Sequence, residues 1–413
     1  MDAPSVLRNG PLRALVLAEV VSTTGSQMTW LALPWFVLTT SGSATRMSFV
    51  VAAEVIGMGL LTLPGSRMLS RLGARRTMLV CDGVRAPVIV LVPTLYWAGA
   101  LSFPLLLTIA FSVGAMTAPY FASQKVIVPE LLGEDEQVVT QASALTQAST
   151  RVTLLLGPVL AGVLIGLIGA PGVLVVDGVT YVVAVLLVAF FVPQRRPLEA
   201  PEEGRGIRTA VRFILRDPLL RIWNPAFAIG DMAWTAFFIT VPVLVVARFG
   251  ADPRIAGWLF ASFGVGALVG NAVSYRVARR VEPLNLIATF ILGQALPLWL
   301  LTLSLPAAGL SAVLLVSGFA NGVVNPPLHA TSTLRIPPAL RPSVMPTMML
   351  TWTILQPVGL FVAGPILDAF GAEPVLIGFA AIQTLMMSAI ALACLKVRPR
   401  AVSPALRVGL PSL

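Results

Sequence analysis

Long apolar runs recur along the chain, separated by short polar breaks rich in Gly, Pro and Arg. Crossing the hydrocarbon core of a bilayer takes about 20 apolar residues in an α-helix. The pattern predicts twelve spans, near 12–38, 47–69, 77–98, 103–124, 139–168, 171–193, 218–247, 255–277, 284–304, 307–329, 344–369 and 373–395. The fifth, seventh and eleventh are long enough to tilt or to emerge at one side. The expected fold class is an all-α membrane protein. Met1 to Pro11 lacks a short apolar core followed by a small-residue cleavage site, so the first span is expected to act as its own insertion signal.

The longest polar stretch lies mid-chain and divides the spans six and six. It holds Gln194-Arg195-Arg196-Pro197 and Pro201-Glu202-Glu203-Gly204, the composition of a linker. Residues 194–217 are therefore expected to join an N-terminal six-helix bundle, 1–193, to a C-terminal one, 218–395, with 396–413 as a cytoplasmic tail. Within the linker Arg208, Arg212 and Arg216 recur every four residues, with Ile207, Val211, Ile214 and Leu215 on another face. That spacing predicts a short amphipathic helix, either lying on a leaflet with its arginines near acidic lipid heads or simply solvated.

The halves also repeat. At one constant offset Leu12-Arg13 matches Leu220-Arg221, Pro34 matches Pro242, Gly42 matches Gly250 and Arg46 matches Arg254. Ser66, Arg71, Gly114, Pro119 and Pro129 match Ser274, Arg279, Gly322, Pro327 and Pro337 at that same offset. At a slightly shorter one Gly162, Gly169 and Ala170 match Gly364, Gly371 and Ala372. Parallel six-helix repeats about an axis along the membrane normal are a transporter plan, with substrate held between the halves at mid-depth.

Composition fixes the solvent the chain is built for. Of 413 residues, 57% are hydrophobic and 11% charged, against about 25% charged in a typical soluble domain. A net charge of +10 would suggest nucleic acid in a soluble protein, but here its placement points elsewhere. The Lys and Arg gather in the termini and the even-numbered loops, Arg67–Arg76 and Arg195–Arg221 among them. Arg46, Arg248 and Arg254 fall in the opposite loops, and Arg85 and Arg151 within spans. By the positive-inside rule both termini are expected in the cytoplasm, in a multi-pass protein of the inner, cytoplasmic cell membrane. Cys81 and Cys394 stand alone in apolar stretches and are expected to be small buried hydrophobes, with no metal or disulfide.

Ionisable groups inside a span cost about 2.5–3.5 kcal/mol each on insertion scales, and should face a cavity or a partner. Glu19, Glu54, Asp82, Arg85, Arg151, Asp177 and Asp231 lie within spans, and Asp368 at an edge. At about 1.5 Å per residue, Glu54, Arg151 and Asp231 fall near mid-depth. Glu54 and Asp231 are the leading candidates for proton coupling and Glu19 the third, because an intramembrane carboxyl group can load and release a proton. Arg151 would neutralise one of them in one conformation and release it in another; the alternative is a static buried pair. Asp82 and Arg85, three residues apart, share a helix face and are expected to form a structural ion pair. Trp97 and Trp223 read as interfacial anchors.

These features resemble the major facilitator superfamily, and within it the macrolide-efflux and enterobactin-exporter type. The first span reads Leu12-Arg13-Ala14-Leu15, then Ser22 and Gly25, then Ala32-Leu33-Pro34-Trp35. Val128-Pro129-Glu130-Leu131 follows the fourth span, Gly157-Pro158-Val159-Leu160-Ala161-Gly162 lies in the fifth, and Val176-Asp177-Gly178 opens the sixth. The superfamily's loop motif between spans two and three is Gly-x-x-x-Asp-Arg-x-Gly-x-Arg. Here Arg71, Gly73 and Arg75 match, while Ser70 stands at the acidic position. The resemblance implies a conformational latch between the halves; a plain turn carrying positive-inside arginines is the alternative. Gly157, Pro158 and Gly162 resemble a fifth-helix signature of antiporters, either a coupling element or a packing kink.

The resemblance implies a secondary transporter exporting a drug-like or siderophore-like small molecule in exchange for protons, by alternating access. Its cavity would draw on Gln27, Trp30, Tyr120, Gln124, Trp234, Asn325, Trp352 and Gln356. The expected energy source is the proton gradient, with no cofactor, ATP or nucleic acid, and the expected partners are substrate and membrane lipids around a monomer. Lys125 and Lys396, the only lysines, sit in no Gly-x-x-x-x-Gly-Lys loop, and one histidine, His329, does not make a metalloprotease. A lipid or solute transporter on the same fold, and a non-transporting receptor, are the alternative functions.

Overall fold

The computed structural model describes residues 10–132, 136–194, 206–277 and 280–396. The N-terminal stretch before Gly10, the middle of the linker and the expected tail beyond Lys396 lie outside the described residues, as does the side chain of Arg151. The helices are α1 (Gly10–Ser41), α2 (Ala44–Leu60), α3 (Thr62–Leu72), α4 (Ala74–Trp97), α5 (Phe103–Leu132), α6 (Glu136–Phe191), α7 (Ile207–Arg216) and α8 (Leu220–Arg248). They continue with α9 (Pro253–Val277), α10 (Pro283–Ala295, extended by a 3-10 segment Leu296–Thr302), α11 (Ala307–Arg335), α12 (Arg341–Phe370) and α13 (Ala372–Lys396).

Among the described residues, nine helical segments are long and apolar enough to cross a membrane. One of these lies in α6, which Gly169 breaks at φ 73° and ψ 162° into two arms, the fifth and sixth spans. The first span, α1, is diluted by Glu19, Ser22, Thr23, Thr24, Ser26 and Gln27, and the second, α2, has 17 residues. With these the described residues hold twelve spans. The second was expected to run unbroken through 47–69, but the helix interrupts at Leu61. Pro64 has no N–H to give the carbonyl four residues back, so α3 starts afresh.

Helices α1 to α6 pack against one another, and α8 to α13 do likewise. The matched glycines explain part of this repeat. A Cβ on Gly114 would collide with the Glu54 carbonyl of the second span, and one on Gly322 with the Ala267 carbonyl of the eighth. Both positions set helices in backbone contact, which only a missing side chain permits.

The cores are distributed unevenly between the two membrane faces. Near the face where α1 begins and α13 ends, each half has its own cluster. One holds Leu12, Met78, Val128 and Val188; the other holds Trp223, Ile291, Leu328 and Cys394. Toward the opposite face, a single cluster runs through both halves, joining Phe36, Val50 and Leu174 to Val245, Leu259 and Leu367. Trp223, expected as an anchor, is 1% exposed in that second cluster, while Trp97 is 63% exposed. Both cysteines are buried.

Helix α7 presents Ala210 and Ile214 to Ile336, just after α11, and to Val344 and Met348 near the start of α12. Ile214 thus faces protein, and parts from Ile207, Val211 and Leu215, which remain exposed beside the three arginines. The helix has two apolar edges, and spacing on one turn did not separate them. At its end Asp217 accepts from the Leu219 and Leu220 N–H groups at 2.9 and 3.0 Å and from Arg335 Nε at 3.1 Å.

Candidate functional site

Three chambers lie in a row across the middle of the molecule. The first, about 110 Å³ within the N-terminal half, is walled by Gln27, Trp30, Glu54, Arg85, Tyr120 and Tyr181. The second, about 340 Å³, lies between the halves, with Trp30 on one side and Asp231, Trp234, Phe238, Phe263 and Gln356 on the other. The third, about 270 Å³ within the C-terminal half, is walled by Asp231, Trp234, Gln294, Asn325, Trp352 and Gln383 among others. Trp30 is common to the first and second, and Asp231 and Trp234 to the second and third.

The first chamber is built on a polar stripe of α1. Glu19, Ser22, Ser26 and Thr29 recur at three- and four-residue steps, so they share one face. Arg85 forms an ion pair with Asp82, which also accepts from Ser22 Oγ at 3.2 Å. The guanidinium lies 4.4 Å from the Tyr120 ring centre and 4.6 Å from that of Tyr181. A buried arginine needs such partners: one carboxylate for its charge and two aromatic faces for its planar surface. Tyr181 Oη is 2.9 Å from Ser26 Oγ. Asp177 accepts from Thr29 Oγ1 at 2.5 Å and from Thr180 Oγ1 at 3.2 Å. Glu19 is 3% exposed, and its Oε1 has no hydrogen-bond partner among the described residues.

The second chamber is aromatic. Trp30 meets Phe238 edge-on across the halves at 5.3 Å, Phe238 stacks on Phe260 at 4.8 Å, and Trp234 meets Phe263 at 4.9 Å. The third is rich in amides. Asn325 Nδ2 donates to Asn321 Oδ1 at 2.8 Å, Trp352 Nε1 to Asn224 Oδ1 at 2.9 Å, and Gln383 Nε2 to the Gly230 carbonyl at 2.9 Å.

The two leading carboxyl candidates, Glu54 and Asp231, sit in different chambers and meet only through the intervening one. Of the residues expected in the cavity, Gln27, Trp30, Tyr120, Trp234, Asn325, Trp352 and Gln356 all line a chamber. Gln124 is half-buried one turn beyond Tyr120 on α5. Sequence reasoning passed over Tyr181, Gln294, Asn321, His329 and Gln383. Asn321, Asn325 and His329 recur every four residues on α11, a signal that was legible and unused. Tyr181, Gln294 and Gln383 are single polar or aromatic residues in apolar spans, and carried no such signal.

The hydrogen bonds of Arg75 and of the Ala74 N–H in the loop motif run to residues of the N-terminal half. Gly73 takes φ 77° between α3 and α4, a conformation that favours glycine. Arg75 donates to the Val192 and Ala189 carbonyls at 2.5 and 2.7 Å, closing the end of the sixth span. The Ala74 N–H that opens α4 donates to Glu130 Oε2 at 3.2 Å, and Arg71 is exposed.

The fifth-helix residues work at two contacts. A Cβ on Gly157 would collide with Gln27 of the first span. One on Gly162 would stand 2.7 Å from the Pro253 carbonyl, and one on Gly257 2.5 Å from that of Pro158, across the halves. The C-terminal half repeats this. Gly359 abuts the Met232 carbonyl of the seventh span, and Gly364 abuts Ser48 and Thr45 of the second. At the rim of this second seam, Asp368 accepts from Ser43 Oγ at 2.8 Å and from the Ala44 and Thr45 N–H groups at 2.6 and 3.0 Å.

Two six-helix halves, related by a parallel repeat and seamed through matched glycines about a central row of chambers, are the architecture of one superfamily. A family model described as Major Facilitator Superfamily matches residues 15–360. The chain belongs to the Major Facilitator Superfamily. It is a multi-pass membrane transporter, not an enzyme. It is 26% identical over 382 residues to the multidrug efflux pump Tap of Mycolicibacterium fortuitum, covering 88% of this chain and 91% of that one. To Tap of Mycobacterium tuberculosis H37Rv it is 22% identical over 388 residues, covering 90% of each. Among solved facilitator structures, the nucleoside transporter NupG superposes with a TM-score of 0.75 at 12% identity, covering 94% of this chain and 99% of that one. A bacterial homologue of the lysosomal transporter Spinster, inward-facing and unoccupied, gives 0.69 at 14% identity, covering 93% and 96%. At those identities the likeness is one of fold.

Proposed function

We propose that this transporter exports amphipathic, drug-like small molecules in exchange for protons, by alternating access. The observation that carries the reading is the row of chambers, with the carboxyl group of Glu54 at one end and that of Asp231 at the boundary of the other two. An aromatic compartment of this size suits a bulky, largely apolar ligand. A carboxyl group facing it binds either a proton or a cationic ligand, and that competition couples the two fluxes. Arg85 lines the same chamber as Glu54, with its charge paired to Asp82. The named efflux pumps among the relatives support the direction.

In this reading the face where α1 begins and α13 ends is the cytoplasmic one, which the gathering of Arg67, Arg71, Arg76, Arg208, Arg212 and Arg335 there supports. The membrane is then the cytoplasmic one, and the structure corresponds to a state sealed toward the outside. The exposed edge of α7, Ile207, Val211 and Leu215, lies against the inner leaflet. The path runs between the halves of one chain, so a monomer suffices.

The test is flux. In inverted vesicles with an imposed pH gradient, the wild type is expected to accumulate a fluorescent amphipath. Glu54→Gln and Asp231→Asn should each abolish that proton-driven component. Undiminished accumulation in both variants would refute the coupling assignment.

A further inference from the structure

The third chamber differs from the aromatic one beside it in carrying acceptors that the protein leaves open. Gln383 is 0% exposed and spends its Nε2 on the Gly230 carbonyl, yet its Oε1 has no hydrogen-bond partner among the described residues. A buried amide oxygen without a donor costs more than a satisfied one recovers, so a donor arriving in the chamber would relieve that cost. Asp231 faces the same space, and its backbone carbonyl, rather than its carboxylate, holds Thr235 Oγ1 at 2.8 Å. The walls on either side are the rings of Trp234 and Trp352, the latter 5.8 Å from Phe227. An anionic acceptor, a neutral acceptor and aromatic faces together describe a site for a cation that also donates hydrogen bonds.

We infer that the chamber within the C-terminal half is a head-group subsite for a primary or secondary ammonium. Its N–H groups reach Asp231 and Gln383 Oε1, while the apolar body of the same molecule lies in the neighbouring compartment against Trp30, Phe238 and Phe263. The inference rests on the export reading above and narrows its substrate class to amphipathic amines that carry N–H donors. A quaternary ammonium satisfies Asp231 by charge and the rings by cation–π contact, but has nothing to offer Gln383. The two kinds of cation are therefore separated by hydrogen bonding rather than by charge.

The experiment compares two probes with one body, a naphthylpropyl ammonium and its trimethylammonium analogue. Each is titrated into the purified full-length protein and followed by tryptophan fluorescence. The wild type should bind the ammonium at least about tenfold more tightly. Gln383→Met should bring the two affinities within about twofold, chiefly by weakening the ammonium. Asp231→Asn should weaken both cations alike. Equal binding of both probes by the wild type, no binding of either at millimolar concentration, or a preference that survives in Gln383→Met would overturn the inference. Should Gln383→Met fail to fold, the wild-type comparison decides alone. The same protein in vesicles separates this inference from the one beneath it. Proton-driven flux with indifferent binding removes the subsite and leaves the exporter. Selective binding without flux removes the exporter and leaves the subsite.

Discussion

Asp368, near the end of the eleventh span, accepts the backbone N–H of Ala44 at 2.6 Å and so caps the second span from the other half of the molecule. The first N–H groups of a helix have no partner within it, and a carboxylate there is favoured by both hydrogen bonding and the helix dipole. Separating the halves at this face uncaps the helix and strips the carboxylate of three donors at once. Asp368→Ala should therefore shift the population toward the state open on this face by about tenfold. Spin-label distances between reporters on Arg46 and Glu373 would read this. An unchanged distance distribution would deny the cap a part in the equilibrium.

Bulk at the matched glycines should act in the same direction by a different route. A side chain at Gly162 would overlap the Pro253 carbonyl, and one at Gly364 would overlap Ser48. Gly162→Val and Gly364→Val are each expected to disfavour the sealed face and slow transport. Gly378→Val, placed where nothing lies within 4 Å of the new Cβ, should leave both unaltered. Equal behaviour of all three variants would show the seam to be tolerant.

Removing Arg85 should destabilise the N-terminal half. Breaking a buried pair from one side leaves the other charge unpaired, at about 3–5 kcal/mol. Arg85→Gln should lower the unfolding temperature in detergent, and Asp82→Asn combined with Arg85→Gln should recover part of that loss. Arg85→Lys should not rescue it, since an ammonium has no planar face to lay between Tyr120 and Tyr181. If the double variant proves worse than the single one, the pair is not the source of the stability.

Asp217 gives a pH dependence outside the membrane. Partial burial opposes its ionisation, but Arg335 and the Leu220 and Leu219 N–H groups outweigh that and hold its carboxyl below the usual carboxylate range. A depressed folded-state value means the contribution to stability is complete above the unfolded value, about 4, and is lost as pH falls through the folded one. Asp217→Asn should thus lower the melting temperature at pH 7, with the gap to wild type closing in acid. A gap that stays constant with pH would assign the effect to packing.

The hydropathy pattern carried the helices and their number because lipid forces every backbone polar group into helical bonds. It located Glu54 and Asp231 because a charge within a span has few reasons to be there, whereas Trp30 and Trp234 came from the resemblance to the superfamily. It failed where a residue's role depends on a partner far along the chain. Gln383, whose side chain lines a cavity, and Asp368, whose carboxylate reaches across to Ala44, look ordinary in their own neighbourhoods. Arg75 is a related case. Its motif was readable, but its acceptors at Val192 and Ala189 belong to the same half, and the spacing of a loop does not say which helix end lies beside it.

The unequal sharing of apolar packing between the two faces has an energetic corollary. A ligand approaching from the side of the chain ends meets two lobes that already stand on separate cores, and its arrival breaks little. In the proposed export direction, its departure requires a continuous hydrophobic weld, from Phe36 and Val50 to Leu259 and Leu367, to be prised open and solvated. If export is the direction, the uphill part of each cycle is concentrated at that face, and that is where a driving force has the most to accomplish.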